Sequence, residues 1–297
     1  MRFIDFFSGI GGFRIGMQQA GHKCIGHCEI DKYADISYRA MHTITDSQRA
    51  ELLLMPLKER QVEIRKEQYL NGEWYADDIT RIHPGDIPEA DCWCFGFPCQ
   101  DISIYGGKQG FEGSRSSLFF TIMHKLEQIE ERKRPEWLFI ENVRHLLSIN
   151  DGWDFARLLI ELDKAGYDAE WHSINSKNSG IPHNRERIYI VGHNRQYERG
   201  CSIFKGEQYR SFKKTDTQIC SHCLLAKYPG NLNGTFIDDG IGIRPLTPKE
   251  CFRLQGFPDE MFERAKQFNR NSHLYKQIGN SVTVPVIRNI AKGMSDE

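Results

Sequence analysis

The first thirty residues restrict the fold more than any other part of the chain. Phe3–Phe7 is apolar apart from Asp5, and Gly9, Gly11 and Gly12 follow at once. Phe13, Met17 and Ala20 then recur on one helical face as far as Gly21, and Lys23–Cys28 is a second strand-like run closed by Glu29. This reads as strand, glycine turn, helix and strand, the opening unit of a parallel sheet. Further strands are predicted at Cys92–Gly96, Trp137–Glu141, Ala169–Ile174 and Arg187–Gly192, and helices at Ser116–Glu131 and Trp153–Ala165. In the second helix Phe155, Leu158, Leu159 and Leu162 share a face, Asp151 is the expected cap and Gly166 the stop. Strands alternating with helices call for an α/β fold with a mostly parallel sheet.

Two stretches break the rhythm. Ser47–Tyr69 is charged with a helix-like period and a Pro at position 56, which kinks or starts a helix; it reads as a structural insertion. From Arg195 to Ile243 the chain is polar, glycine-containing and rich in aromatics, which suits a small separate module. The chain has 297 residues, room for one large domain and a smaller one, and no apolar run nears the ~20 residues of a membrane-spanning helix. Asp5 interrupts the N-terminus where a signal peptide would stay apolar, so export is not expected. The nine cysteines show no framework spacing and are expected as reduced thiols. Net charge is −1, yet Lys177 to Lys214 holds nine Lys/Arg against three acids. Such a stretch can track phosphates, and counter-ions outside it would make it an ordinary solvated face.

Three clusters carry chemistry. Glycines after a first strand let backbone approach a ligand, and an acid ending the second strand takes ribose hydroxyls. Glu29 stands 20 residues after Gly9, but the spacing is not Gly-x-Gly-x-x-Gly. A nucleoside without pyrophosphate is therefore favoured, and S-adenosylmethionine fits; an ordinary tight turn would read the same way. The second cluster is Gly96-Phe97-Pro98-Cys99-Gln100, which holds a thiol at a strand's C-terminal edge with Pro98 stiffening the backbone. As thiolate it is a nucleophile; alone it would as soon be a buried structural cysteine. The third joins Glu141-Asn142-Val143 at a strand end to His183-Asn184-Arg185-Glu186-Arg187, where alternation sends Arg185 and Arg187 to one face and Glu186 to the other.

In this order the segments resemble the C5-cytosine DNA methyltransferase family. Asp5–Gly12 is similar to its cofactor loop, Glu29 to its ribose-binding acid, and Asp78-Ile79 to its adenine-contacting motif. Phe97-Pro98-Cys99-Gln100 resembles its nucleophile motif, Glu141-Asn142-Val143 its base-binding motif, and Arg185-Glu186-Arg187 part of Gln-x-Arg-x-Arg. Arg244–Glu250 and Gln277–Val282 resemble two C-terminal motifs. The resemblance covers residues 1–193 and 244–290, apart from the insertion. His183 departs from it, standing where the family usually has glutamine; an imidazole can still hydrogen-bond, but its charge can vary near neutral pH.

The resemblance implies a Rossmann-like S-adenosylmethionine-dependent methyltransferase domain (1–193 and 277–297, with a helical insertion at 44–75) and a small target-recognition domain with its hinge (194–276). It implies Cys99 as nucleophile, Glu141 as proton partner of the base, Arg187 on the base's O2 side, and Arg185 supporting the thiolate or the same network. Cofactor contacts are expected from Phe7, Ser8, Gly9, Ile10, Gly11, Gly12, Glu29, Ile30, Asp78, Ile79, Phe97, Pro98, Asn280, Ser281 and Val282. DNA contacts are expected from Gln100, Ser103, Lys108 and Arg115, and Ile104–Phe111 is expected to be a mobile lid. No metal is expected: Cys220-Ser221-His222-Cys223, even with Cys201 and His193, lacks the second pair of a structural zinc site.

The implied activity is methylation of C5 of a flipped-out cytosine in a specific duplex DNA sequence. The expected setting is a bacterial or phage modification system in the cytoplasm, on the nucleoid, with the protein a monomer. A cognate restriction endonuclease would act in the same system without a stable complex, and no membrane is involved. The tRNA-methylating branch of the family shares these motifs and is the alternative. A non-catalytic DNA-binding relative would not need Cys99, Glu141 and Arg187 intact, and a nicotinamide-dependent oxidoreductase would need the missing third phosphate-loop glycine.

Overall fold

The computed structural model describes residues 1–97, 118–197, 203–204, 220–230, 235–238, 240 and 243–295. The expectations at Pro98, Cys99, Gln100, Ser103, Lys108 and Arg115, the 104–111 loop, and Cys201 lie outside the described residues. The N-terminal unit is β1 (Arg2–Phe6), α1 (Gly12–Gln19) and β2 (Lys23–Cys28), followed by α2 (Lys32–His42). The insertion forms α3 (Asp46–Leu53) and α4 (Leu57–Glu63), with Pro56 starting the second, and leads to β3 (Trp74–Ala76). Then come β4 (Cys92–Gly96), α5 (Leu118–Gln128), β5 (Trp137–Val143), α6 (Trp153–Lys164), β6 (Tyr167–Asn175) and β7 (Glu186–Asn194). A short hairpin of β8 (Phe236–Asp238) and β9 (Ile243–Pro245) precedes α7 (Pro248–Arg253), α8 (Asp259–Lys266), α9 (Asn271–Asn280) and α10 (Val284–Gly293).

Seven strands form one sheet in the order β3-β2-β1-β4-β5-β7-β6. Strands β3, β2, β1, β4 and β5 pair in parallel, and β7 runs antiparallel to both of its neighbours. The expected mostly parallel sheet is therefore present, with one reversed strand. Residues 176–185 are too few for a helical crossover, so β7 returns from β6 as a hairpin. Strand order changes direction between β1 and β4, and open α/β sheets bind ligands beyond the C-terminal ends of such strands.

Alternation along the strands divides the core. Ile4, Phe6, Trp93, Phe95, Leu138 and Ile140 point to α5 and α6, while Phe3, Cys92, Cys94 and Phe139 point to α1 and α10. Helices α7–α9 pack through Phe252, Phe257, Phe262 and Leu274 on Ile10, Ile15 and Met41, forming an outer layer over α1 and α2. The insertion packs Leu52 and Ile64 on Ile36, Ala40 and Phe268. Two of its charges pair with α1 and α2: Glu73 accepts two 2.6 Å bonds from Arg14, and Arg65 donates at 3.4 Å to Asp35, which also accepts from Arg39 at 2.8 Å. Removing one partner of such a pair would strand a buried charge.

One local expectation is corrected. Asp151 does not cap α6; it lies in a left-handed turn with Asn150, and Gly152, at φ 88°, is the N-cap. The tight reversal from the preceding turn uses up the backbone geometry an Asp cap needs. Gly166 does stop the helix, at φ 91°, with its N–H on the Asp163 carbonyl at 3.0 Å.

Gly16 sets the spacing of α1 and α10, since a Cβ there would lie 2.5 Å from Ile287 Cβ. Gly16→Val should cost about 1–3 kcal/mol in urea unfolding through overpacking. Unchanged stability would show that α10 moves away freely.

Candidate active site

The C-terminal ends of β1, β2, β4 and β5 and the start of β7 surround a cavity of about 500 Å³. Its first side is built by β1 and β2. Phe7 and Gly9 leave β1 at φ 53° and 55°, and among the described residues, chain neighbours apart, no atom lies within 4 Å of a Cβ placed on Gly9. A ligand can therefore approach this backbone closely. Glu29 accepts from the Gly9 N–H and the Asp31 N–H, both at 2.7 Å. Burial pushes the Glu29 carboxyl above its usual range, and the two backbone donors oppose that shift. Ile30 is 73% exposed beside it, an apolar side chain presented to the cavity. Lys276 pairs with Asp31 at 2.7 Å across from α9.

The second side is built by β4, β5 and β7. Gly96 is in register with Glu141, and Val143 with Arg187. Because β7 is reversed, its first residues reach the edge where β5 ends. Glu141 is 9% exposed, and Arg187 Nε lies 3.3 Å from its Oε1. That contact is an ion pair without hydrogen-bond alignment, so among the described residues Oε1 has no hydrogen-bond partner. Burial raises the Glu141 carboxyl above its usual range, and Arg187 and Arg185 oppose this. The result is a carboxyl that holds its proton more readily than an exposed one and has a free acceptor beside a cation. Asn142 donates from Nδ2 to the Phe97 carbonyl at 2.9 Å and accepts from the Val143 N–H at 2.8 Å. It ties the ends of β4 and β5 together two residues before Cys99.

Arg185 is buried and serves the chain itself. Its Nη1 donates to the carbonyls of Leu224 and Gly279, each at 3.3 Å, and its Nη2 to that of Ser281 at 2.8 Å. His183 Nε2 accepts from the Leu224 N–H and Nδ1 donates to the Leu254 carbonyl, both at 3.0 Å. The expectation of a variable charge at His183 is corrected: burial, reinforced by Arg185, pushes the imidazole down to about 3, so it stays neutral. Cys223, half of the Cys-x-x-Cys, turns its sulfur to Arg185 Nη1 at 3.7 Å and Arg187 Nη2 at 3.8 Å.

Of the expected contacts, Phe7, Gly9, Glu29, Ile30, Phe97, Glu141, Arg185, Arg187 and Asn280 line the cavity together. Ile10 and Ile79 are core residues, and Val282 packs beside α10. Gly12 abuts Ser281 and Val282, with 2.7 Å from its built Cβ to each. Gly11 faces His42, and Ser8 is buried with its hydroxyl unpartnered. Asp78 accepts from Thr80 and pairs with Arg81. Sequence reading missed Leu225 and Ala226, which line the cavity from a segment without a motif; Gly279 and Gln277 were within a quoted motif. Arg144 and Ser173 bond Glu186, on the face away from the cavity as alternation requires.

The phosphate-tracking expectation is corrected for three of the basic residues. Arg185 binds carbonyls, Arg187 pairs with Glu141, and Arg195 pairs with Asp163 and Asp168. The partners lie outside the 177–214 window, which is why counting within it overstated the free charge.

The family model for C-5 cytosine-specific DNA methylase matches residues 1–53, 66–228 and 231–296. The type II methyltransferase M.NlaX of Neisseria lactamica is 31% identical, with 99% of this chain and 96% of that protein aligned. M.BsuFI of Bacillus subtilis is 32% identical over 100% of this chain and 73% of that protein. Among solved structures, S. pombe Dnmt2 methyltransferase superposes with a TM-score of 0.72 at 17% identity, covering 98% of this chain and 97% of that one. The Entamoeba histolytica methyltransferase EhMeth gives 0.68 at 16%, covering 100% and 98%; these two likenesses establish the Rossmann-like fold. The unmatched residues 54–65 fall within the α3–α4 insertion, and residues 229–230 and 297 are the others outside the match. The chain belongs to the C-5 cytosine-specific DNA methylases, the DNA cytosine methyltransferases related to the type II modification enzymes.

Proposed function

We propose that the protein transfers a methyl group from S-adenosylmethionine to C5 of a cytosine swung out of a specific duplex DNA sequence, through a transient bond between Cys99 and C6. The observation that carries this reading is the pairing, in one cavity, of a nucleoside-type side (Gly9, Glu29, Ile30) with a buried carboxyl–guanidinium pair (Glu141, Arg187). S-adenosylmethionine, when bound, supplies an electrophilic methyl on a sulfonium. Phe7, Gly9, Glu29, Ile30 and Asn280 are the residues that would hold it. Gly9 offers open backbone, and Glu29, already fixed by two N–H donors, keeps acceptor capacity for ribose hydroxyls.

Cytosine C5 is a poor nucleophile until a thiolate adds to C6. The addition makes C5 enamine-like and pushes electron density toward N3 and O2. Glu141 shares or donates a proton at N3, for which its raised affinity suits it. Arg187 opposes charge building on the O2 side. C5 takes the methyl group and the sulfonium carbon–sulfur electron pair stays on the departing thioether. A base, water included, then takes the C5 proton, the C5=C6 double bond re-forms and Cys99 leaves C6 as thiolate. Arg185 acts as a frame, since its donors are held by three backbone carbonyls. Extruding the base costs a few kcal/mol of stacking, which binding must offset. Target choice belongs to the 194–276 segment in this reading, and the modification system to a bacterial or phage host; no helix among the described residues is long and apolar enough to cross a membrane.

The direct test is methyl transfer to duplex DNA and to tRNA side by side; methylation of tRNA alone would overturn the DNA assignment. Duplexes with 5-fluorocytosine at the target, incubated with donor, should become covalently attached at Cys99. Cys99→Ser should abolish turnover while S-adenosylmethionine still raises the melting temperature; substantial residual methylation would refute the nucleophile.

Glu141→Gln gives a separate readout. The carboxyl holds its proton more tightly folded than unfolded, so its contribution to stability is greatest at low pH and falls as pH rises through the folded pKa. The amide should therefore gain more melting temperature over wild type at pH 8 than at pH 5, with methyl transfer lost. An equal gain at both pH values would show that burial does not govern this group.

A further inference from the structure

We propose that His183 is a positioning residue, a neutral imidazole that clamps the 221–226 segment onto the catalytic face and so completes one wall of the base pocket. The inference rests on reading the cavity as the cytosine site. His183 is fully buried in the turn between β6 and β7, and both ring nitrogens are used. With Nε2 accepting from the Leu224 N–H and Nδ1 donating to the Leu254 carbonyl, it joins three separate parts of the chain. Only the neutral ring with its proton on Nδ1 satisfies both bonds.

Backbone contacts finish the junction. The Ser221 N–H donates to the Pro182 carbonyl at 2.8 Å, and the Asn184 N–H to the Ser221 carbonyl at 2.9 Å. Beyond it the segment runs along the cavity. Its Leu224 carbonyl accepts from Arg185, and the Cys223 sulfur touches both arginines. Leu225 and Ala226 then line the cavity, Leu225 at 46% exposure. Close approach of this backbone to α9 requires Gly279, where a Cβ would meet the Leu225 carbonyl carbon at 2.5 Å. Losing the imidazole would leave the buried Leu224 N–H unpaired and free the segment from the arginines that face Glu141.

A glutamine amide sets an acceptor oxygen and a donor nitrogen on either side of one carbon, as Nε2 and Nδ1–H flank Cε1 in the neutral imidazole, whereas alanine carries neither. His183→Ala should lower kcat on duplex DNA by about tenfold or more, with S-adenosylmethionine affinity held within about twofold. Alkylation of Cys223 by iodoacetamide, read by peptide mass mapping against Cys220, should quicken by about tenfold as the segment lifts. His183→Gln should restore both to within about twofold of wild type. Cys223 alkylated at the wild-type rate in His183→Ala, or His183→Gln no better than His183→Ala, would overturn the clamp. If His183→Ala does not fold, His183→Asn, too short to reach both partners, carries the same comparison. A wild-type protein that methylates no DNA would strike the functional reading alone, because the alkylation rates report the clamp without turnover.

Discussion

The reversal of β7 is the constraint on which the site depends. In a wholly parallel sheet the strand beside β5 would bring its C-terminal end to the ligand edge. Here the pairing of Val143 with Arg187 brings its N-terminal end instead. The residues entering that strand therefore stand opposite the residues leaving β5, and a guanidinium meets the Glu141 carboxyl across one ladder. The price of this arrangement is a buried ion pair whose desolvation is not fully offset, visible in the raised affinity of Glu141 for its proton. In the proposed reaction, this arrangement provides a carboxyl that holds its proton more readily than an exposed one does.

Most other charged and polar groups around the cavity are committed to the protein. Arg185, His183 and Gln255 bind backbone groups at the junction of β7, α7 and the start of α10; Gln255 reaches the carbonyls of Ile278 and Ser281 and accepts from Thr283. These are irregular segments whose N–H and C=O groups have no ladder to join, so side chains supply the partners. Among the described residues Glu141 Oε1 has no hydrogen-bond partner, as is also true of the buried Ser8 hydroxyl and Arg185 Nε. Of these, the carboxyl oxygen lines the cavity as an acceptor to which a ligand's donor can be matched.

Much of this was legible in the sequence because it lies in local patterns. Short apolar runs placed six strands of the main sheet to within two residues at either end, and glycine positions marked the turns. Strand ends and alternation put Glu141, Arg185 and Arg187 near one edge, and the family resemblance singled them out. What was not legible depends on partners distant in sequence. Leu225 and Ala226 reach the cavity only because Gly279 lets two backbones touch, and nothing around them announces this. The neutral state of His183 follows from burial by α7 and the 221–226 segment, which no window around the residue contains. Asp151 failed as a cap for a shorter-range reason, since the chain arrives at α6 in a left-handed turn. For Arg187 and Arg195 the count within the basic stretch overstated the free charge, because Glu141, Asp163 and Asp168 come from neighbouring strands and helices.

The Asn142 amide on the Phe97 carbonyl has a consequence for chain length. It fixes Phe97, the residue after β4 and two before Cys99 in the chain, to the strand carrying Glu141. An insertion of a single residue between Phe97 and Cys99 would lengthen that tether by up to about 3.3–3.6 Å, more than a hydrogen bond's reach. An insertion past Gln100 would leave the tether untouched. If Cys99 attacks the base that Glu141 holds, a change of chain length before the cysteine is expected to cost more activity than one after Gln100.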